Sequence, residues 1–177
     1  MKTAEEMYQY VKDNKYIDNV GKTRAKKHFE SLEKELYGDE VAHMALVALL
    51  DNDGVQDGYY AVAVTDKRIL MAQSGFFGRN KAKSVLLDNL NDVSVTQKLS
   101  MRHMEIDTIK DRIVLSLNTW SDESVGSKLK ETILRLKQGD TKPSGSSVAD
   151  ELRKFKELLD DGIITEEEFE AKKKELL

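Results

Sequence analysis

At 177 residues, 40% of them apolar, 34% charged and 7% aromatic, the chain is long enough for one domain with an accessory piece around a modest core. No apolar run approaches the roughly 18–20 residues of a membrane span, and the start Met1-Lys2-Thr3-Ala4-Glu5-Glu6-Met7 lacks the apolar stretch of a secretory leader. The net charge of −4 argues against a nucleic-acid partner, and zero cysteines exclude disulfides, thiolate metal sites and a cysteine nucleophile, so the expectation is a cytoplasmic protein without cofactor.

Residues 3–36 read as helical. Met7 and Val11 stand four apart with Tyr8 beside them, and Ala25, Phe29, Leu32 and Leu36 form a second stripe that Gly38 ends. Asn14 to Gly21 is the expected break. Lys22, Arg24, Lys26 and Lys27 cluster at the start of the second helix. A solvated helix face accounts for them, and a phosphate or membrane contact is the other reading.

Val41–Leu50 is nearly all apolar and reads as a strand, because turn chemistry follows at once in Asp51-Asn52-Asp53-Gly54. Tyr59–Gln73 holds two short apolar runs around the polar quartet Thr65-Asp66-Lys67-Arg68, the pattern of two strands and a tight turn. A two-residue loop at Asp66-Lys67 sets Val64 opposite Ile69, Ala63 opposite Leu70 and Val62 opposite Met71. Lysine resists positive φ, which leaves a four-residue turn as the alternative. Further strands are expected at Ser84–Leu87, Asp92–Gln97, Met101–Asp107 and Arg112–Leu117, with Lys110-Asp111 turning the last pair. Met104 alternates with Ile106, and Ile113 with Leu115 and Leu117, at the period of a one-sided sheet. Ser121 or Asp122 then caps a helix carrying Val125, Leu129, Ile133 and Leu136 on one face, with Gly139 as its stop. Such a helix suits the open mouth of a small sheet, and Trp120 before it reads as a core aromatic.

The stretch to Ser147 holds the only proline among Gly, Ser and Thr and reads as a linker. Beyond it Val148, Leu152, Phe155 and Leu159 form one helical stripe, and Gly162 stops it. Thr165 and Glu168 make a capping box for a second helix, with Ile164 and Phe169 as its hydrophobic staple and Leu176 and Leu177 completing the apolar face. Ile163 joins that face. Residues 148–177 carry ten acids against six bases. Thirty residues cannot bury enough apolar surface to stand alone. This face is therefore expected to meet its own chain, a second copy as a homo-oligomer, or another protein.

The fold class is α+β: an N-terminal helical segment (1–37), a seven-stranded antiparallel sandwich or partly open barrel closed by a helix (38–138), a linker (139–147) and a helical hairpin (148–177). Two families resemble parts of it. Val148–Leu177, through Leu158-Leu159, Gly162-Ile163-Ile164-Thr165, Glu168-Phe169, Lys172-Lys173 and Leu176, resembles the bacterial short C-terminal domain, SHOCT. That resemblance implies an oligomerisation or interaction element in a bacterial or phage protein. Residues 38–138, through Val64-Thr65-Asp66-Lys67-Arg68-Ile69-Leu70, Phe76-Phe77, Val85-Leu86-Leu87 and Leu90–Val95, resemble the YokE-like bacterial pleckstrin-homology-like domains and imply a binding scaffold. Eukaryotic phosphoinositide-binding relatives place basic residues in the loop after the first strand. Here that loop holds Asp51, Asp53 and Asp57, which repel a polyanionic headgroup.

No catalytic or metal-binding pattern emerges. Asp51-Asn52-Asp53 opens like a calcium loop, but Val55, Gln56 and Val62 stand where the motif needs an oxygen ligand, Gly and Glu. His28, His43 and His103 have no carboxylate at ligand spacing and read as packing or surface residues. In Ser74–Lys83 the pair Phe76 and Phe77 adjoins Arg79, Lys81 and Lys83. One reading is a strand end with buried aromatics; the other is a peripheral contact with an anionic membrane surface. A non-enzymatic adaptor is the leading reading, with the membrane binder and a small-molecule-sequestering protein as alternatives.

Overall fold

Thr3-Ala4-Glu5-Glu6 begins the fold with a reciprocal cap. Thr3 Oγ1 accepts the Glu6 N–H (3.2 Å), while the Glu6 carboxylate accepts the Lys2 and Thr3 N–H groups (2.7 and 3.2 Å). The capping-box spacing was present in the sequence, and helix α1 (Ala4–Asp13) follows from it. The computed structural model describes residues 1–17, 20–52, 55–75, 78–98, 101–118 and 122–138, together with Thr165 and Phe169. After the expected break comes α2 (Lys22–Glu33), with Tyr8 of α1 set edge-on against Phe29 at 6.5 Å.

Seven strands follow: β1 (Ala42–Asn52), β2 (Val55–Thr65), β3 (Arg68–Gln73), β4 (Lys81–Leu86), β5 (Leu90–Lys98), β6 (Met101–Thr108) and β7 (Arg112–Asn118). They form one antiparallel sheet in the order β4-β3-β2-β1-β7-β6-β5, open between β4 and β5. The expected open antiparallel architecture is therefore the one found. β4 begins at Lys81 rather than the predicted Ser84, because its outer residues are exposed and carry no apolar alternation to announce them.

β1 bends the sheet. It pairs with β2 along its length, and with β7 only at Leu49, Leu50 and Asp51. Met44 through Ala48 are consecutively buried, so both faces of β1 are covered and its apolar run cannot alternate. α1 packs on β1, and α2 on β2 and β3. Helix α3 (Val125–Lys137) lies against β5 and reaches β1 and β2, burying Val125, Leu129 and Ile133. It approaches closely at Gly126, where a Cβ would come within 2.6 Å of Val95 Cγ1.

The helix starts later than expected. Ser124 is its N-terminal flanking residue, while Asp122 works two residues upstream, its Oδ1 accepting the Ser124 N–H and hydroxyl at 2.8 and 2.5 Å. Asp122 thus shapes the turn before the helix instead of capping it. Ser121 and Trp120 lie outside the described residues.

The chain divides into two compact units, Met1–Gly139 and Asp140–Leu177. In the second, Phe169 is helical and its N–H donates to the Thr165 carbonyl at 3.0 Å. Leu152, Phe155, Leu159, Ile163, Ile164, Glu168 and Leu176, named above for the apolar face and the cap, lie outside the described residues.

Candidate functional site

The quartet Thr65-Asp66-Lys67-Arg68 turns out to be consumed internally. The β2–β3 register is that of a two-residue loop: Val64 faces Ile69, Ala63 faces Leu70 and Val62 faces Met71. Neither Asp66 nor Lys67 needs positive φ. Thr65 Oγ1 holds the turn instead, accepting the Lys67 and Arg68 N–H groups at 3.2 and 3.0 Å. Thr108 repeats this device in the β6–β7 turn, accepting from Lys110 and Asp111 at 3.3 and 2.8 Å.

The other three side chains of the quartet grip the segment that joins α2 to β1. Asp66 accepts the Val41 N–H (2.8 Å), Lys67 pairs with Asp39 (2.6 Å), and Arg68 forms a two-pronged pair with Glu40, Nε to Oε1 and Nη2 to Oε2 both at 2.9 Å. Glu40 is 1% exposed and Arg68 7%. Burial alone would raise the Glu40 carboxyl, but Arg68, the Thr65 hydroxyl (2.6 Å) and the Tyr37 N–H (3.0 Å) hold it below its usual range. Arg68 also donates to the Glu35 carbonyl (2.6 Å) and stacks on Tyr37, 4.0 Å from the ring centroid. Nothing in the sequence pointed to a pair 28 residues apart.

Asp57 answers the question posed by the cations after Phe77. It lies in β2, not in a free loop. Its carboxylate pairs with both Lys81 and Lys83, the latter at 3.3 Å, and accepts the Tyr60 hydroxyl at 2.7 Å. Chiefly through Lys81, then Tyr60, its pKa falls to about 2. Of the three cations considered for an anionic surface, two therefore share the single negative charge of Asp57, and Arg79 is exposed without an ion pair among the described residues. Phe76 and Phe77 lie outside the described residues.

A concavity lies between α2 and the β3–β4 loop. It has a volume of about 620 Å³, with Arg24, Lys27, Ser31 and Lys34 on the helical wall and Ser74, Gly75, Gly78 and Asn80 on the loop wall. Asn80 N–H donates to the Gly78 carbonyl (2.9 Å), Gly78 sits at φ +74°, and a Cβ on Gly75 would collide with the Arg79 carbonyl. Gly75→Ala is accordingly expected to cost about 1–3 kcal/mol by urea unfolding; an unchanged midpoint would mean that the loop relaxes freely. His28 moors this loop. The ring is fully buried, and its Nδ1 accepts the Ser74 N–H at 2.8 Å. Arg24 and Lys27 were noticed in the sequence, whereas Ser31 and Lys34 were not. Their spacing of seven and ten residues from Arg24 was the available signal.

His103 shares a hydrogen bond with Ser116 (2.7 Å), and no group of three metal-ligating side chains occurs among the described residues.

The family model for the bacterial PH domain matches residues 36–129, and the one for the short C-terminal domain matches residues 150–177. The chain belongs to the bacterial PH domain family and carries a SHOCT domain at 150–177. Among solved structures it is similar to a protein with a pleckstrin-homology domain from Shewanella loihica, at 17% identity and TM-score 0.40 over 59% of this chain and 86% of that one. It is similar to the hSac2 domain of the human phosphoinositide phosphatase Sac2, at 14% identity and TM-score 0.44 over 60% and 76%. A pleckstrin homology domain from Shewanella amazonensis shares 16% identity at TM-score 0.41 over 68% and 100%. No curated protein matches this chain.

Proposed function

We propose that the protein is a non-catalytic cytoplasmic adaptor. The PH-like body is its binding scaffold, and the SHOCT hairpin joins copies into a homo-oligomer. The observation that carries this reading is the division of the chain into a body and a second compact unit, Asp140–Leu177. So short a unit, with the apolar pattern Leu152, Phe155, Leu159, Ile163, Ile164, Phe169 and Leu176, gains its stability by meeting another surface. The body, by contrast, has its own continuous core from Met7 to Ile133. No helix among the described residues is long and apolar enough to cross a membrane.

Light scattering on the full chain and on a chain ending at Gly139 tests the assignment. The full chain should show a concentration-dependent mass above that of a monomer. The shortened chain should be monomeric and keep a cooperative thermal transition. A full-length monomer at every concentration would remove the assembly role, and docking to a different protein would take its place. The competing membrane reading is weakened by the pairing of Lys81 and Lys83 with Asp57.

A further inference from the structure

We infer that the cleft between α2 and the β3–β4 loop binds a small anion carrying several phosphate charges. Arg24, Lys27, Ser31 and Lys34 follow one another at steps of three, four and three, which keeps them on one side of α2 and its C-terminal flank. Together they run about 15 Å along the axis. The opposite side buries Ala25, His28, Phe29 and Leu32, so the helix cannot rotate this stripe away from the cleft. Glu30 is the single acid in the lining.

These cations line one cleft and have no counter-charge of their own among the described residues. Lys26 is paired with Glu5, Lys67 with Asp39, Arg68 with Glu40, and Lys81 and Lys83 with Asp57. Arg24, Lys27 and Lys34 form no ion pair with any described residue, although the protein as a whole has net charge −4. Three cations against the one acid Glu30 leave the lining net positive, and a concave site of net positive charge concentrates anions. The start of α2 adds to the field: its flanking residue Gly21 supplies no side-chain cap, and the first turn holds no acid. The facing wall offers neutral groups suited to phosphate oxygens. Asn80 Oδ1 takes the Gly75 N–H at 3.4 Å, which leaves the amide NH₂ of Asn80 as a donor beside the Ser74 hydroxyl.

Size and spacing select the ligand class. One phosphate cannot satisfy three cations spread over the length of the helix, whereas a chain or ring bearing several can. The volume suits a small molecule. The helical cations precede the matched PH region, residues 36–129, while the loop wall lies within it, so the site is built by both. It is separate from the assembly role and is tested by a different measurement.

The probe is tripolyphosphate, titrated calorimetrically into the full-length protein at low salt beside orthophosphate. Tripolyphosphate should bind more tightly than orthophosphate. The double variant Arg24→Ala/Lys27→Ala should weaken it about tenfold or more, and Glu30→Gln should tighten it. Lys110→Ala, which removes a cation of the β6–β7 turn outside this cleft, should change affinity less than about twofold. All four positions are exposed, so the variants keep their fold, and thermal unfolding without ligand checks this. Vesicles with and without a multiply phosphorylated inositol lipid distinguish the sources. Vesicle binding that tripolyphosphate displaces and that needs Arg24 and Lys27 assigns the anion to a headgroup; binding of the free anion alone assigns it to a soluble metabolite. No binding by the wild-type protein would overturn the inference. So would equal losses from Lys110→Ala and the cleft variant, or vesicle binding that ignores Arg24 and Lys27.

Discussion

Glu40→Ala is expected to remove about 3–5 kcal/mol of folding stability, read as a fall in the urea midpoint at constant slope. The loss does not come from the attraction between two charges, which burial largely offsets. It comes from leaving the Arg68 guanidinium, 7% exposed, without its two-pronged partner. The Thr65 hydroxyl and the Tyr37 N–H lose an acceptor in the same substitution. Since a domain of this kind is stable by about 5–15 kcal/mol in total, the variant approaches the threshold of unfolding at growth temperature. The double variant Glu40→Leu/Arg68→Met separates the two causes. If the orphaned charge dominates, replacing both partners by apolar groups costs much less than the sum of the single changes. A loss below about 1 kcal/mol in Glu40→Ala would show that water reaches Arg68 and that this pair does not hold the α2–β1 segment on the hairpin.

The second large effect concerns pH. His28 is fully buried, and burial first, then the charge of Arg24, push its pKa down to about 4 from an ordinary value near 6.5. Its Nδ1 is an acceptor for Ser74, so the neutral ring carries its proton on Nε2, which has no hydrogen-bond partner among the described residues. The folded chain therefore refuses a proton that the unfolded chain accepts. Stability from this group is fully present above pH 6.5 and is lost as the pH falls from there towards 4, at up to about 1.4 kcal/mol per pH unit and about 2–3 kcal/mol in all. Below pH 4 the native ring protonates too and the dependence levels off. Other carboxylates also titrate in this window, so the measurement is the difference between wild type and His28→Asn across pH 7 to 4. Asparagine offers the Ser74 N–H an acceptor but gains no proton. The gap between the two stability curves should change by about 2–3 kcal/mol. Parallel curves would mean that His28 titrates normally and is not sealed by the loop.

The quartet at the tip of the β2–β3 hairpin carries three charges, and in isolation it looks like a polar recognition tip. Each of them is engaged by Asp39, Glu40 or Val41 of the preceding segment. Asp57 likewise engages both Lys81 and Lys83. On α2 and its C-terminal flank, ahead of the matched region, Arg24, Lys27 and Lys34 have no ion pair among the described residues.

The sequence by itself determined the order of elements, the register of the β2–β3 hairpin and the open antiparallel sheet. Those properties depend on local periodicity and turn chemistry, which neighbouring residues encode: Met104 and Ile106, Ile113 and Leu115, or Val64 across from Ile69. It erred at Ser84 and at Asp122, where an exposed strand and an upstream turn lack an apolar signature. Only the tertiary structure decided which charges are paired and which are free. Glu40 meets Arg68 across 28 residues, Asp57 meets Lys81 across 24, and His28 meets Ser74 across 46. No period or spacing rule reaches such distances, because those partners are brought together by the pairing of β2, β3 and β4 and by the packing of α2 and the segment after it on those strands. The cations of the candidate site are among those for which the described residues provide no carboxylate.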